Sequence, residues 1–572
     1  SKIIYWTDLQ SFINYQITPE SSHYAYGLYI ELILLIIMFV TFFSLNYVFQ
    51  YLNHNKKNED FLTPLILFIL SIFFIIESFS TYGFFEDSLG HSKVHWQTYI
   101  GPVELMLQGG YLLWDTPSQY GFLSTILIYL MPFDDPWMKF YYLNALLTFI
   151  FSLMMFLTIW NKGSLTWLFI SFLITYSAVF LLPGGQWQYN VASTPSSGMM
   201  RFFVSILLLY IIFISQKYYW INQLLLIVPI WLIGTLWSFE SAFYCSCIVL
   251  PWVIKNLIST ENSNNQKFIS LLIFPGTFII TVGLISIYYV ITIGNLPDYY
   301  AFAEYAFSWL TKPNEMINSS PQTFRADGSI LNILLFFSIL IFIFKNTKSY
   351  NFIILSIIIY LWAVMSLILG KGNDFHINSI ISFFIFSFFI LISVNSNEYI
   401  LNSKIIFPIL IFIILSSYFN PSIFGNTFGV IKGQDYNLSK VTYDNDKNID
   451  KLLSKIKIKN ESFIAISSRY WNYYKKEYYF DNLLDKDQKI NNNKWIPVYP
   501  GTLFMPISAD RTKIYINRWI KRKNIESGWV IFEKQNIWHD SIIKKIKYSL
   551  NDYNITKEIK YKNLIGSYYE KK

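Results

Sequence analysis

Residues 62–99 read LTPLILFILSIFFIIESFSTYGFFEDSLGHSKVHWQTY: an apolar run over 62–80, then Glu86, Asp87, His91, Lys93 and His95 in quick succession. A helix rises 1.5 Å per residue, so this run extends about 28 Å, close to the roughly 30 Å of a bilayer's hydrocarbon core. Inside lipid every backbone polar group must be satisfied by the chain itself, which leaves helices and closed barrels. The run is continuous rather than alternating, which selects a helix. The stretch therefore predicts a transmembrane helix with ionisable groups at its exit.

The rest of the chain has the same character. Of 572 residues, 53% are hydrophobic, 20% aromatic and only 14% charged, and the mean hydropathy is +0.36. That composition describes a polytopic α-helical membrane protein and excludes an ordinary water-soluble domain. About twelve spans are expected, near 27–50, 61–81, 137–160, 164–182, 200–215, 221–237, 239–254, 268–293, 329–344, 350–369, 378–394 and 405–420. The first strong run begins near Tyr26 behind a polar start and has no short apolar core with a cleavage site, so it reads as a span and not as a removed signal peptide. Cys245 and Cys247 lie within an apolar run and read as buried small hydrophobes, without a disulfide framework or a metal site.

One apolar piece, YGFLSTILIYLMPF at 120–133, is too short to cross and is closed by Pro132. If it does not span, Lys56, Lys57, Lys162, Lys217, Lys255, Lys267, Lys345, Lys348 and Lys404 share one side, which the positive-inside rule makes cytoplasmic. If it spans, they scatter. The piece therefore reads as a re-entrant or interfacial helix, and both termini fall outside the cytoplasm. The outer side then collects the loops at 84–121, 183–201, 236–241, 294–328 and 370–378 and everything after Asn420, while the cytoplasmic loops are short.

Within the first outer loop, Trp96, Tyr99, Ile100, Val103, Met106 and Leu107 recur at helical spacing, with Gln97, Glu104 and Gln108 opposite. This predicts an amphipathic helix in the interface, ended by Gly109 and Gly110. Glu86 and Asp87 are adjacent, so on a helix or a strand they diverge, and one reactive carboxylate is expected.

A span ending in an acidic residue, an amphipathic surface helix, a second acid and a re-entrant helix resemble the first outer loop of the GT-C glycosyltransferases. That family includes the family 39 protein mannosyltransferases and the aminoarabinose transferase of lipid A. The residues that carry the likeness are Glu86, Asp87, His91, His95, Tyr99, Pro102, Gly109, Gly110, Asp115 and the SQYG run with Gln119 and Tyr120. WSFES around Glu240 and GKGNDFH around Lys371 are similar to outer-loop motifs of bacterial members. The likeness rests on spacing and topology over residues 60–420, and the span near 27–50 has no counterpart in the usual pattern.

The resemblance implies transfer of a sugar from a polyprenyl-phosphate carrier to an acceptor hydroxyl of a glycan, lipid or protein, at the outer face of a bacterial inner membrane. Partners are then the lipid-linked donor, the acceptor and membrane lipids, with no nucleic acid. The chemistry asks for a carboxylate to take the acceptor's proton, cations for the departing phosphate and a wet cavity at the surface. Asp87 or Glu86 supplies the base. Lys371, His376, Arg201 and Arg325 are the outer-side candidates for the phosphate. His91, His95, Tyr99, Asp115, Gln119, Tyr120 and Glu240 are candidates for substrate contacts. No cofactor is implied beyond a divalent metal, with which the spacing of His91 and His95, four residues apart, is compatible.

Each assignment has a plainer rival. The acidic pair can be a solvated helix end, the histidines interfacial packing and Arg201 a snorkelling side chain. Glu240 can cap a helix, Asp115 the re-entrant helix, and Tyr and Trp can serve as interfacial anchors. Three further functional readings also stay open. A transporter or flippase of lipid-linked saccharides would carry mid-span charges and two related halves; an O-antigen ligase or polymerase would lean on outer-loop Arg and His. A non-enzymatic scaffold would need no titratable cluster near the membrane.

Three segments are expected: 1–60 with an extra span, the GT-C-like membrane domain at 61–420 with its catalytic loop at 82–120, and a soluble periplasmic α/β domain at 421–572. In the last, FIAIS and GWVIFE read as strands, WHDSIIKKIKYSLNDY as a helix and ITKEIKYKNLIGSYYEKK as a closing strand pair. It contains no phosphate-binding glycine loop, Cys/His cluster or serine elbow, which leaves acceptor binding or a lid as its roles. Its positive balance, part of the +8 of the chain, suits anionic glycans or head groups.

Overall fold

In a computed structural model the chain is described over residues 59–79, 98–118, 120–133, 136–160, 165–181, 198–216, 218–304, 352–371, 382–390, 451–452, 455, 462–467, 495–496, 508–533, 537–562 and 564–572. The expected spans near 27–50, 329–344 and 405–420 lie outside these residues, as does the whole of 80–97.

The apolar runs form helices close to where periodicity put them. Helix α1 is Glu59–Phe79, α2 covers residues 98–107, α3 is Leu123–Leu130 and α4 is Pro136–Trp160. Helix α5, Leu165–Tyr176, runs on as a π-helical turn, Ser177–Leu181. Then follow α6 Met199–Ser215, α7 Trp220–Trp237, α8 Phe239–Ile258, α9 Asn264–Ile293, α10 Phe352–Lys371 and α11, residues 382–390. Among the described residues four helices are long and apolar enough to cross a membrane: the body of α4, α7, α8 and α9. The chain is an integral membrane protein.

Helix α4 packs against α1, α3, α5 and α6, and α8 against α6, α7, α9 and α10. Their shared core is aromatic: Phe74 meets Phe172 with ring centroids 5.2 Å apart and Phe202 meets Phe383 at 4.8 Å. In lipid, close packing replaces the hydrophobic effect as the cohesive force, and small residues let backbones approach. Gly234 shows this, because a Cβ there would lie 2.3 Å from the Cys245 sulfur. Both cysteines are free thiols. Helix α9 starts on a capping box between Ser263 and Gln266 and stops at Gly294, φ 76°.

Helix α3 has eight residues, about 12 Å of rise, less than half the hydrocarbon thickness of about 30 Å. Its final turn is held by Lys139, whose buried ammonium donates to the Tyr129 carbonyl at 2.9 Å and the Met131 carbonyl at 2.5 Å.

Beyond the membrane bundle, strands β1 Ser462–Ser467 and β2 Trp495–Ile496 precede helix α12, Ala509–Lys523. Next come β3 Ser527–Glu533, α13 Ile537–Ser549, β4 Tyr553–Tyr561 and β5 Leu564–Lys571. The five-stranded sheet has the order β2-β1-β3-β5-β4, parallel from β2 through β3 and antiparallel for β5 and β4. Ser508 caps α12 by accepting from the Arg511 N–H, and the β4–β5 hairpin turns at Lys562 with φ 51°, as a tight primed turn requires.

Helix α2 corrects one expectation. Tyr99, Ile100 and Val103 are buried as periodicity requires, but Glu104 and Gln108 are buried too, and the Gln108 amide donates to the Glu104 carboxylate at 3.0 Å. The helix does not show its polar side to water, because Leu105 on that side packs into the core of the C-terminal sheet domain with Tyr515, Trp519 and Ile520.

Candidate functional site

Three motifs far apart in sequence, SQYG at 118–121, GMMR at 198–201 and WSFES at 237–241, converge at one end of the bundle, beside α2. This end is opposite the one that carries Lys255, in the last turn of α8. Glycine decides the approach. Gly121 has φ 112°, and a Cβ on it would come within 1.7 Å of the Trp237 carbonyl oxygen, so only hydrogen fits. Ser124 donates to that same carbonyl at 3.2 Å, the Trp237 indole N–H donates to the Met200 carbonyl at 2.7 Å, and the Ser241 hydroxyl donates to the Arg201 carbonyl at 3.1 Å. Ser118 is tied to the Gly121 carbonyl at 2.9 Å and to Thr125 at 3.0 Å. The loop before α3 and the first turns of α6 and α8 thus form one bonded unit.

At its centre is an ion pair. Arg201 donates through Nε to Glu240 Oε2 at 2.5 Å and through Nη2 to Oε1 at 2.8 Å. This geometry leaves Nη1 outside the fork. Arg201 is 6% exposed and Glu240 31%, so the guanidinium sits deep and the carboxylate lies on the solvent side. Two-point pairing with a carboxylate is what arginine's planar fork favours. Tyr99 from α2 stacks on Tyr120, with centroids 4.4 Å apart and planes 9° apart. Its hydroxyl is buried without a partner, as is that of Tyr244, one turn beyond Glu240. Burial, more than the neighbouring Tyr120, pushes the Tyr99 phenol well above its ordinary pKa, so it stays a neutral donor. A buried cation balanced by a partly exposed carboxylate, with two unsatisfied phenols nearby, makes this end of the bundle a charged, polar site able to attract an anionic group to its exposed edge.

Asp115 has another setting. Its side chain is fully buried; Oδ1 accepts from the Tyr111 N–H at 2.7 Å and from the Thr116 hydroxyl at 3.2 Å, and Oδ2 from Arg522 Nε at 2.5 Å. It closes the 111–116 turn and does not cap α3, whose N-cap is Phe122 with no side-chain bond; the intervening SQYG segment places the carboxylate out of reach. Lys371 is the last residue of α10. Glu86, Asp87, His91, His95, Gln119, Arg325 and His376 lie outside the described residues.

Three polar features escaped sequence reasoning. The Tyr176 hydroxyl donates to Glu77 at 2.8 Å, and Lys139 closes α3; each is a lone ionisable residue in an apolar run, which was the available signal. The acidic pair Asp298 and Glu304 receives Arg518 and Arg511 from α12, and nothing local in sequence predicts that pairing.

Comparison with known proteins finds no matching family and no matching curated protein. Among solved structures the chain is similar to the oligosaccharyltransferase of Archaeoglobus fulgidus. Its apo form aligns at 10% identity and TM-score 0.42, over 84% of this chain and 70% of that one. The form tethered to an acceptor peptide containing the NVT sequon aligns at 10% and 0.41, over 90% and 74%, and the complex with Zn and sulfate at 9% and 0.42, over 83% and 68%. Likeness at that level carries no argument about family or reaction.

Proposed function

We propose that the protein is a membrane glycosyltransferase of the GT-C kind, which moves a sugar from a polyprenyl-phosphate carrier to an acceptor hydroxyl on the outer face. The observation that carries this reading is the convergence of Tyr99, Tyr120, Arg201 and Glu240 at one end of the bundle. Charge placement favours it over transport. In the described helices α1 and α4–α10 every charged residue, Glu59, Asp60, Glu77, Lys139, Arg201, Glu240, Lys255, Lys267 and Lys371, falls in a first or last turn. A transporter places such groups near the midplane.

In this reading the donor's chain lies beside the spans and its phosphate reaches Arg201, with Lys371, His376 and Arg325 as further cations. Asp87 or Glu86 takes the proton of the acceptor hydroxyl, the hydroxyl oxygen bonds to the anomeric carbon, and the carbon–oxygen bond to phosphate breaks with its electron pair leaving on the polyprenyl phosphate. His91, His95, Gln119, Asp115 and Glu240 are assigned to substrate contacts or their support. The test is to incubate purified protein and its Asp87→Asn and Glu86→Gln variants with a panel of polyprenyl-phosphate sugars, measuring free polyprenyl phosphate with and without acceptors. Release that one substitution abolishes in a folded protein supports transfer and names the base. No release from any donor, with donor binding unchanged in both variants, overturns it.

A further inference from the structure

Helix α12 carries three arginines, Arg511, Arg518 and Arg522, at spacings of seven and four, which places them along one face. All three reach into the membrane domain. Arg511 Nε donates to Glu304 at 2.8 Å. Arg518 Nη2 donates to Asp298 at 2.9 Å, Nη1 to the Trp114 carbonyl at 2.9 Å, and the guanidinium lies 3.9 Å from the Trp114 ring centroid. Arg522 donates through Nε to Asp115 and through Nη1 to the Gly109 carbonyl, each at 2.5 Å. Between them Tyr515, Ile516, Trp519 and Ile520 bury against Leu105 and Ala301. Lys513 on the same helix turns outward to Asn551 in an exposed bond. The forked cations face the membrane domain, and this lysine faces water.

The bonds lead to the site. Arg522 holds the start and the end of segment 109–115, and the other oxygen of Asp115 closes the turn on Tyr111 and Thr116. That turn delivers Ser118, bonded to Gly121, and then Tyr120, stacked on Tyr99 beside Arg201.

We propose that the C-terminal domain is a built-in clamp that holds the first outer loop in its site-forming shape, with Arg522 as the positioning residue. The activity readout rests on the transferase reading, while the shape readout does not. Two bonds from one rigid, planar guanidinium fix two points of the loop together in a preset geometry, which lysine's ammonium on its flexible stem reproduces only loosely. The test compares full-length wild type, Arg522→Ala, Arg522→Lys and Lys513→Ala in nanodiscs, by hydrogen exchange of the 105–118 amides and by transfer kinetics. Arg522→Ala is expected to speed exchange over 109–116 about tenfold while the spans keep their protection, and to lower kcat/KM by about tenfold or more, as small misplacements in an active site do. Arg522→Lys should restore part of both, and Lys513→Ala should change neither. Unchanged exchange in Arg522→Ala overturns the clamp, and so does a loosened loop with full activity. Faster exchange in a protein whose wild type transfers nothing from any donor supports the clamp and counts only against the transferase.

Discussion

Arg201 and Glu240, thirty-nine residues apart, are joined by two nitrogen–oxygen contacts of 2.5 and 2.8 Å, and the cation is the more deeply buried partner, at 6% exposure against 31%. Removing one member of a buried pair strands the other charge, and the damage scales with how far the survivor is from water. Glu240→Gln is therefore expected to cost about 2–3 kcal/mol, more than Arg201→Met, which leaves a carboxylate able to reach water. A double variant should recover much of the loss. Thermal unfolding of the four proteins in one detergent checks the order, and equal losses from the two single changes would contradict it.

Gly121 and Gly109 both have positive φ, at 112° and 80°, but differ in surroundings. A Cβ at Gly121 meets backbone at 1.7 Å, whereas at Gly109 the nearest atoms are the ends of Arg522 and Lys523 at 3.6 Å. Gly109→Ala should cost about 1–2 kcal/mol of left-handed strain and still fold. Gly121→Ala should separate α3 from α7 and abolish folded yield. Size-exclusion profiles of the two variants decide this.

The Tyr99 hydroxyl is buried without a partner, so Tyr99→Phe should be neutral or stabilising, by up to about 1 kcal/mol, while the proposed transfer activity should fall. The phenol's raised pKa adds a pH signature. Above pH of about 10, the ordinary tyrosine value, an unfolded chain releases this proton and the folded one retains it, so stability falls as pH rises through that window. Tyr99→Phe should lose this share of the alkaline destabilisation. Unfolding measured between neutral and strongly alkaline pH tests both effects.

Lys139 donates to two carbonyls at the end of α3, where a cation also meets the negative end of the helix dipole. Lys139→Met should cost about 1–3 kcal/mol by leaving those carbonyls unsatisfied. It should loosen α3 before the long spans, as read by local hydrogen exchange.

The sequence by itself determined the membrane class, the helices from α1 to α10 within a few residues, and four strands and the second helix of the tail, because hydrophobic runs and alternation are local signals; the short strand β2 and the arginine-bearing helix α12 were not read from it. It also put Tyr99, Tyr120, Arg201 and Glu240 among the candidates, since polar and aromatic residues at the ends of apolar runs stand out. The tertiary structure alone decided which of these meet. Arg201 finds Glu240 only because α6 and α8 start side by side, and Tyr120 reaches Tyr99 only because Gly121 lets the loop close on Trp237. Asp115 looked like a helix cap, yet its partner is Arg522, 407 residues away. Nothing local encodes such a bond: a carboxylate's role is set by the cation that packing brings to it, and that choice is made by the whole chain at once.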